Sequence, residues 1–376
     1  MKKILAISHA YIEPFTRTGL IPPHFCDEIC LNIVVPKYMV KKYPQGYKKL
    51  VEENYEVKPI GSIFNFHHSV RMYLPSLYFL ILKLRPNIIF INNEPWSSTA
   101  FQIVLFCRIF YTKVKIIVYT CENLIRKYPF PFRLYEKFVL KNVDLVLILS
   151  KKDGENVLRK KDYTGQIIYL PLFVDTEIFK KQDRTDLRKI LIGKDKIVIG
   201  YVGRLVKEKG VDLLIEAVRM LNYDNLHLLI IGDGPQRQHL INLVKEKGLV
   251  NKVSFLGSIF YTDLPKYLNC LDILVLPSYT TSNWKEQFGR VLIEAMACEV
   301  AVIGSSSGEI PEVIGDAGLV FKEGDCYDLS KKIELLMNDE QLRKELARKG
   351  RERVVKNYSW QKITVKLLQI YKNILE

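Results

Sequence analysis

The amino-acid sequence predicts an α/β protein built from two doubly wound, Rossmann-like domains. Three observations carry that expectation. The chain is 376 residues long, more than one core comfortably serves at about 100–200 residues per domain. Short β-branched and aliphatic runs alternate with helix-length segments, the pattern of parallel sheets covered on both faces. The series occurs twice, with a polar stretch between the two.

The first series runs KILAIS, CLNIVV, NIIFIN, VKIIVY, VDLVLILS and QIIYLP, and the second KIVIGYV, LHLLIIG, KVSFLG, DILVLP, VAVIGS and GLVFK. The opening MKKILAISHAYIEP carries two lysines and an apolar run. That run stops after about seven residues with no small-residue cleavage signal, so it reads as a first buried strand and not a signal peptide. MYLPSLYFLILKL and AFQIVLFCRIFY are the most apolar pieces. Both fall short of the roughly 18–20 residues of a bilayer crossing and read as buried or membrane-surface helices. The polar, strand-free LFVDTEIFKKQDRTDLRKILIGKDK is expected to connect the domains, giving a first domain over residues 1–170 and a second over 171–358. SWQKITVKLLQIYKNILE is expected as an amphipathic helix, 359–376, that packs back onto the first domain.

Hydrophobic residues at 48% and charged residues at 26% exclude a disordered chain. The formal net charge is +15. Residues 1–170 hold 25 Lys and Arg against 13 Asp and Glu, whereas residues 171–376 hold 31 against 28. A lopsided positive field suits nucleic acid, anionic lipid headgroups or polyanionic substrates, with a basic proteome or plain solubility as the bland alternative. Seven cysteines, odd in number and scattered, point to reduced thiols in the cytoplasm. Cys26 and Cys30 with His24 nearby lack the further ligands of a zinc set.

Ligands of doubly wound domains bind where strand ends turn into helices. Three such places bear suitable side chains. In IVIGYVGRLVKEKGVDLLIEAV a strand ends at Gly203, Arg204 and Lys209 follow, and a helix starts near Gly210. Two cations beside free helix N–H groups suit a diphosphate, and the plain alternative is two solvated cations in a loop. In VLPSYTTSNWKEQFGRVLIEAMACEV the pair Phe288-Gly289 opens a helix, with Glu286 before it and Glu294 inside it. Gly289 admits close approach of a ligand to the backbone. Read alone, the two glutamates are taken as solvated surface carboxylates before any functional role. In VIGSSSGEIPEVIGDAGLVF three serines and Gly308 end a strand, which suits a sugar, a phosphate or a simple turn.

Taken together in this order, GRLVKEKG, IIGDGP, EQFGRVLIEAMAC and GEIPEVIGDAGLVF resemble the retaining glycosyltransferases of family 4, with Glu286 and Glu294 matching an E-x7-E signature. The likeness is specific over residues 196–325 and looser in the first half, where residues 122–165 still look like a family member. It implies a GT-B fold, two Rossmann-like domains facing a central cleft. It implies a catalytic set of Glu286, Arg204 and Lys209, the two cations holding the diphosphate and stabilising the departing phosphate in place of a metal. It also implies that Glu286 contacts the donor sugar and that Phe288 and Gly289 reach sugar or phosphate. Glu294 would accept from the ribose hydroxyls, and the base would lie near Gly257, Ser258 and Ile259. In the first domain the family's Gly-Gly pair after the first strand is missing. Only Gly19, with Thr18, stands in SHAYIEPFTRTGLIPPHF to serve the donor. His9, Glu94, Glu122 and Asn123, at strand ends of that domain, are acceptor-side candidates, with turn or helix capping as the alternative.

The function expected is transfer of a sugar from a nucleoside diphosphate sugar to a glycan or lipid-linked acceptor in cell-envelope or surface-glycan synthesis. UDP or GDP would carry the sugar, and no cofactor, metal or nucleic acid would take part. Cytoplasmic placement, peripheral to an anionic inner membrane surface, follows from the basic first half and its aromatic helices near residues 70–84. A basic nucleic-acid-binding or scaffolding protein remains as an alternative, as does a GT-B relative such as a sugar-nucleotide epimerase or phosphorylase.

Overall fold

The computed structural model describes residues 1–12, 16, 29–38, 51–52, 55–67, 70–193, 196–221 and 223–376. They divide into two compact units. Unit 1 comprises Met1–Pro171 with Trp360–Glu376, and unit 2 comprises Leu172–Ser359.

Unit 1 contains strands β1 (Lys2–Ile7), β2 (Ile29–Pro36), β3 (Val51–Glu52), β4 (Tyr55–Ile60), β5 (Ser62–Ile63), β6 (Met72–Tyr73), β7 (Ile88–Ile91), β8 (Lys115–Thr120), β9 (Leu145–Ile148) and β10 (Ile167–Tyr169). Its main sheet runs β10-β9-β8-β7-β1-β2-β4-β3, and every pair except β3–β4 is parallel. Strands β7 and β9 are buried along their whole length, as apolar runs covered on both faces must be. Helices α1 (Ser76–Leu84), α2 (Ser98–Phe110), α3 (Phe132–Asn142) and α4 (Lys151–Lys160) connect the strands. The Ser97 hydroxyl caps α2 by accepting from the Ala100 N–H. The segment over residues 51–73 was not expected as strand. YEVKPI in β4 lies near the sheet edge, with Glu56 exposed and residues 57–60 half-buried, so no apolar run marks it.

Unit 2 has a sheet of β11 (Ile197–Val202), β12 (Leu226–Ile231), β13 (Val253–Gly257), β14 (Ile273–Leu276), β15 (Ala301–Ser305) and β16 (Leu319–Phe321). Its order is β13-β12-β11-β14-β15-β16, all parallel. Sequence order therefore reverses between β11 and β14, the place where doubly wound sheets open a crevice. The helices are α5 (Thr185–Ile192), α6 (Val211–Leu221), α7 (Arg237–Glu246), α8 (Leu264–Leu268), α9 (Arg290–Ala297), α10 (Ile310–Ile314), α11 (Cys326–Asn338) and α12 (Glu340–Asn357). The polar stretch 172–196 is more than a connection. It belongs to unit 2, where Arg188 on α5 pairs with Asp272 at 2.6 Å and Asp272 accepts from the Val198 N–H at 2.7 Å. The final helix, α13 (Trp360–Leu375), returns to unit 1 and buries Ile363, Leu367, Leu368, Ile370 and Tyr371.

Candidate functional site

The loops after β11 and β14 are tied together at the reversal point of unit 2. The Tyr279 N–H donates to the Glu208 carbonyl at 3.0 Å, and the Lys209 ammonium lies 2.5 Å from Glu286 Oε2. Ser278, two residues past β14, donates its hydroxyl to the same carboxylate oxygen at 2.8 Å. The Trp284 ring lies 4.9 Å from Lys209 Nζ, a cation–π distance. A carboxyl group only 6% exposed is thus paired with a lysine and a serine hydroxyl. Arg204 is exposed at the same loop, and among the described residues its guanidinium has no acidic partner. Burial first, and Glu286 second, raise the Tyr201 phenol far above its usual range, while its hydroxyl donates to the Arg204 carbonyl at 2.8 Å. Lys209 and Glu286 are therefore brought together, with Arg204 exposed on the same loop as Lys209.

The backbone of Glu286 is held from a third strand end. Gly308 has φ +56°, and a Cβ there would stand 1.9 Å from the Glu286 carbonyl oxygen, so only glycine permits the contact. Downstream, Phe288 is buried against Tyr358 with ring centroids 5.8 Å apart. Gly289 caps α9 with φ +79°, a left-handed conformation that orients the first N–H groups of the helix. Glu294 lies inside α9 and is 3% exposed. Tyr261 hydrogen-bonds one of its oxygens, and Oε1 is buried with no hydrogen-bond partner among the described residues. Burial raises its pKa to about 7, opposed by Arg290 and the Tyr261 hydrogen bond. The solvated-surface reading of the two glutamates fails, because both carboxylates are inside. An orphaned buried acceptor of this kind is satisfied by hydroxyl donors.

Sequence reasoning missed Ser278, Trp284, Tyr261, Thr280 and Glu323. Thr280 donates its N–H and its hydroxyl to Glu323 Oε2, both at 2.8 Å, and the Glu323 N–H donates to the Ser306 hydroxyl at 3.0 Å. The Ser305 hydroxyl donates to the Ser278 carbonyl. Only Ser278, two residues past a strand end, offered a local signal. Ile259 is half-buried beyond Gly257, whose carbonyl accepts from the Gly232 N–H at 2.7 Å. Gly19 and Thr18 lie outside the described residues.

In unit 1 the order reverses at β1, beside β7. His9 follows β1, Glu94 follows β7, and Glu122 and Asn123 follow β8. Glu94 accepts from the Thr120 hydroxyl and, at 3.0 Å, from the Cys121 N–H. Burial raises its pKa, and Glu122 raises it further. Glu122 accepts from Tyr128 and from Lys161, the latter at 2.9 Å, and Lys161 also lies 2.5 Å from Glu136. Trp96 stacks on Tyr128 at 4.4 Å. Glu94 and Glu122 thus share a buried network, and Glu122 is committed to holding Lys161. Nothing in the spacing showed Tyr128, Lys161 or Glu136, because they reach the network from another loop, the turn after α4 and helix α3.

Fold and site together define a GT-B architecture, two parallel Rossmann-like units with a candidate anion site at the reversal point of the second. Whole-chain superpositions agree. They include sucrose-phosphate synthase from Thermosynechococcus elongatus (TM-score 0.76, 20% identity, covering 100% of this chain and 99% of that one). HepE from Anabaena in complex with UDP gives TM-score 0.77 at 16% identity, covering 99% and 100%. Identities this low speak to fold alone. Residues 182–353 match the family described as "Glycosyl transferases group 1". Over these residues unit 2 is similar to a group 1 glycosyltransferase domain. Among curated relatives, N-acetyl-alpha-D-glucosaminyl L-malate synthase of Bacillus anthracis is 32% identical over 245 residues, 64% of this chain and 62% of that protein. The GPI3 subunit of phosphatidylinositol N-acetylglucosaminyltransferase from Saccharomyces cerevisiae is 30% identical over 241 residues, 63% and 52% respectively. The match therefore spans less than two thirds of either relative.

Proposed function

We propose that the protein is a retaining glycosyltransferase of the family 4 type, moving a sugar from a nucleoside diphosphate sugar to a glycan or lipid-linked acceptor in surface-glycan synthesis. The observation that carries this reading is the Lys209–Glu286–Ser278 cluster at the reversal point of unit 2. HepE structures with UDP and with UDP-glucose support a uridine donor as the first to test. In this reading the diphosphate lies against Arg204, Lys209 and the N-terminus of α9. The cations stabilise charge on the leaving phosphate as the glycosidic bond to it breaks. The acceptor hydroxyl attacks the same face of the sugar, and its proton passes to the leaving phosphate. Glu286 holds the sugar hydroxyls and Glu294 the ribose. Unit 1 acts as the acceptor-binding half, with His9, Glu94 and Asn123 at its strand ends. Since Arg204 and Lys209 supply the charge compensation, transfer should proceed unchanged in excess chelator.

No described helix is long and apolar enough to cross a membrane. Exposed Phe64, Phe66, Phe79 and Phe110 on unit 1 support a peripheral contact with an anionic bilayer.

The test is calorimetric titration of UDP and GDP together with transfer assays and product analysis. Glu286→Gln should keep nucleotide affinity within severalfold and lower kcat by roughly 100-fold or more. Arg204→Ala should weaken both. Absence of nucleotide binding, or unchanged turnover in both variants, refutes the proposal. Binding to duplex DNA that resists UDP competition would favour the nucleic-acid alternative, and product identity separates transfer from epimerisation or phosphorolysis.

A further inference from the structure

Unit 1 carries a groove of about 660 Å³ between the loop at residues 125–128, helix α3 and the turn after α4. Helix α3 contributes Arg133, Lys137 and Lys141, spaced four residues apart and so on one helical face. The loop adds Arg126 and Lys127, and the turn adds Lys160 and Lys161. Against them stand Glu136 and Asp162 alone. Glu136 is already taken, since Lys161 reaches inward to it at 2.5 Å and to Glu122 at 2.9 Å. Among the described residues, Lys127, Arg133, Lys137, Lys141 and Lys160 are exposed and have no acidic partner.

Like charges at i,i+4 destabilise a helix by a few tenths of a kcal/mol per pair. Where cations stand at that spacing on α12, acidic side chains offset them. On α12, Lys344 pairs with Glu340, Lys349 with Glu345 and Arg348 with Glu352, all at i,i+4. The exposed face of α3 instead aligns three cations along a concave wall, spread over roughly 12 Å of helix. The volume lies in the range of small-ligand sites, about 300–1,000 Å³, whereas a flat bilayer or a duplex needs no such concavity. We propose that this groove binds a small polyanion through at least two phosphate groups, supplied by a soluble oligophosphate or by a phospholipid headgroup. The proposal does not depend on the assignment of the unit 2 site.

The experiment titrates the full chain with inorganic pyrophosphate and tripolyphosphate. In parallel, it measures cosedimentation with phosphatidylcholine vesicles with and without cardiolipin, whose headgroup carries two phosphates. Lys137→Glu with Lys141→Glu should weaken binding about tenfold or more, a loss of about 1.4 kcal/mol or greater. Arg204→Ala should leave the groove's share unchanged. Near-ultraviolet circular dichroism checks the fold of the double variant, and Lys137→Gln with Lys141→Gln gives a milder second test. Loss of oligophosphate binding in the α3 variants alone supports a soluble ligand, and loss confined to the anionic vesicles supports a headgroup. Equal binding by wild type and both α3 variants, no binding to either probe, or tighter α3-dependent binding of duplex DNA overturns the proposal.

Discussion

Glu294 is the residue on which pH should act most directly. Its folded pKa of about 7 exceeds the ordinary carboxyl value of 4.5 because the side chain is buried. A raised carboxyl pKa means that the native state holds the proton more tightly than the unfolded chain. The stability it contributes is fully present below about pH 4.5 and is lost as pH rises through about 7. Ligand binding should show the opposite slope if the ionised carboxylate accepts from ribose hydroxyls. UDP affinity should rise between pH 6 and pH 8 in the wild type, and Glu294→Gln should flatten that part of the profile. Titration at several pH values decides it, and identical profiles for the two proteins would remove Glu294 from the ribose. At Glu286, Ser278→Ala removes one hydrogen bond to a buried carboxylate. It should cost about 1.5–3 kcal/mol by chemical denaturation, because the bond is to a charged group.

Three loops form the element on which the site depends, and their mutual ties decide its rigidity. Glu323 joins the loop after β14 to the loop after β15 through Thr280 and Ser306. It is a positioning residue. Glu323→Ala should lower kcat/KM about tenfold while lowering the melting temperature by only a few degrees, the shift of about 1–2 kcal/mol in a unit this size. Glu323→Gln, which keeps an acceptor oxygen, should recover most of the activity. A melting loss with unchanged kinetics would leave Glu323 a merely structural residue. These ties also explain what was legible in the sequence. The strands of unit 2, the cap at Gly289 and the apolar face of α6 at Val211, Leu214, Ile215 and Val218 follow from local periodicity, and all are present. Glu323 lies 37 positions from Glu286, and its partnership with Thr280 arises only when β14, β15 and β16 align. Strand β4 was illegible for another reason, since near a sheet edge the residues need not be apolar.

At the scale of the molecule, the chain leaves unit 1, builds unit 2 and returns through α13. The return makes unit 1 discontinuous, and its stability depends on residues at the far end of the sequence. Tyr371 packs against Phe90 on β7 with ring centroids 6.4 Å apart, and Lys366 sits 5.4 Å from the Tyr169 ring on β10. Burying an aliphatic or aromatic side chain contributes about 1.5–3 kcal/mol. The five large buried residues of α13 thus amount to about the whole net stability of a domain, roughly 5–15 kcal/mol. None of them belongs to unit 2. Its last segment ends with Tyr358 against Phe288, and the Val174 N–H donates to the Tyr358 carbonyl at 2.9 Å. A chain cut after Ser359 should therefore lose unit 1 to limited proteolysis while unit 2 survives as a folded fragment. That fragment should still bind UDP with an affinity within severalfold of the whole protein, and transfer should be abolished. Calorimetry should show the transition of unit 1 missing and that of unit 2 retained. Simultaneous loss of both, or a protease-resistant unit 1 without its closing helix, would show that the two cores do not stand on these separate footings.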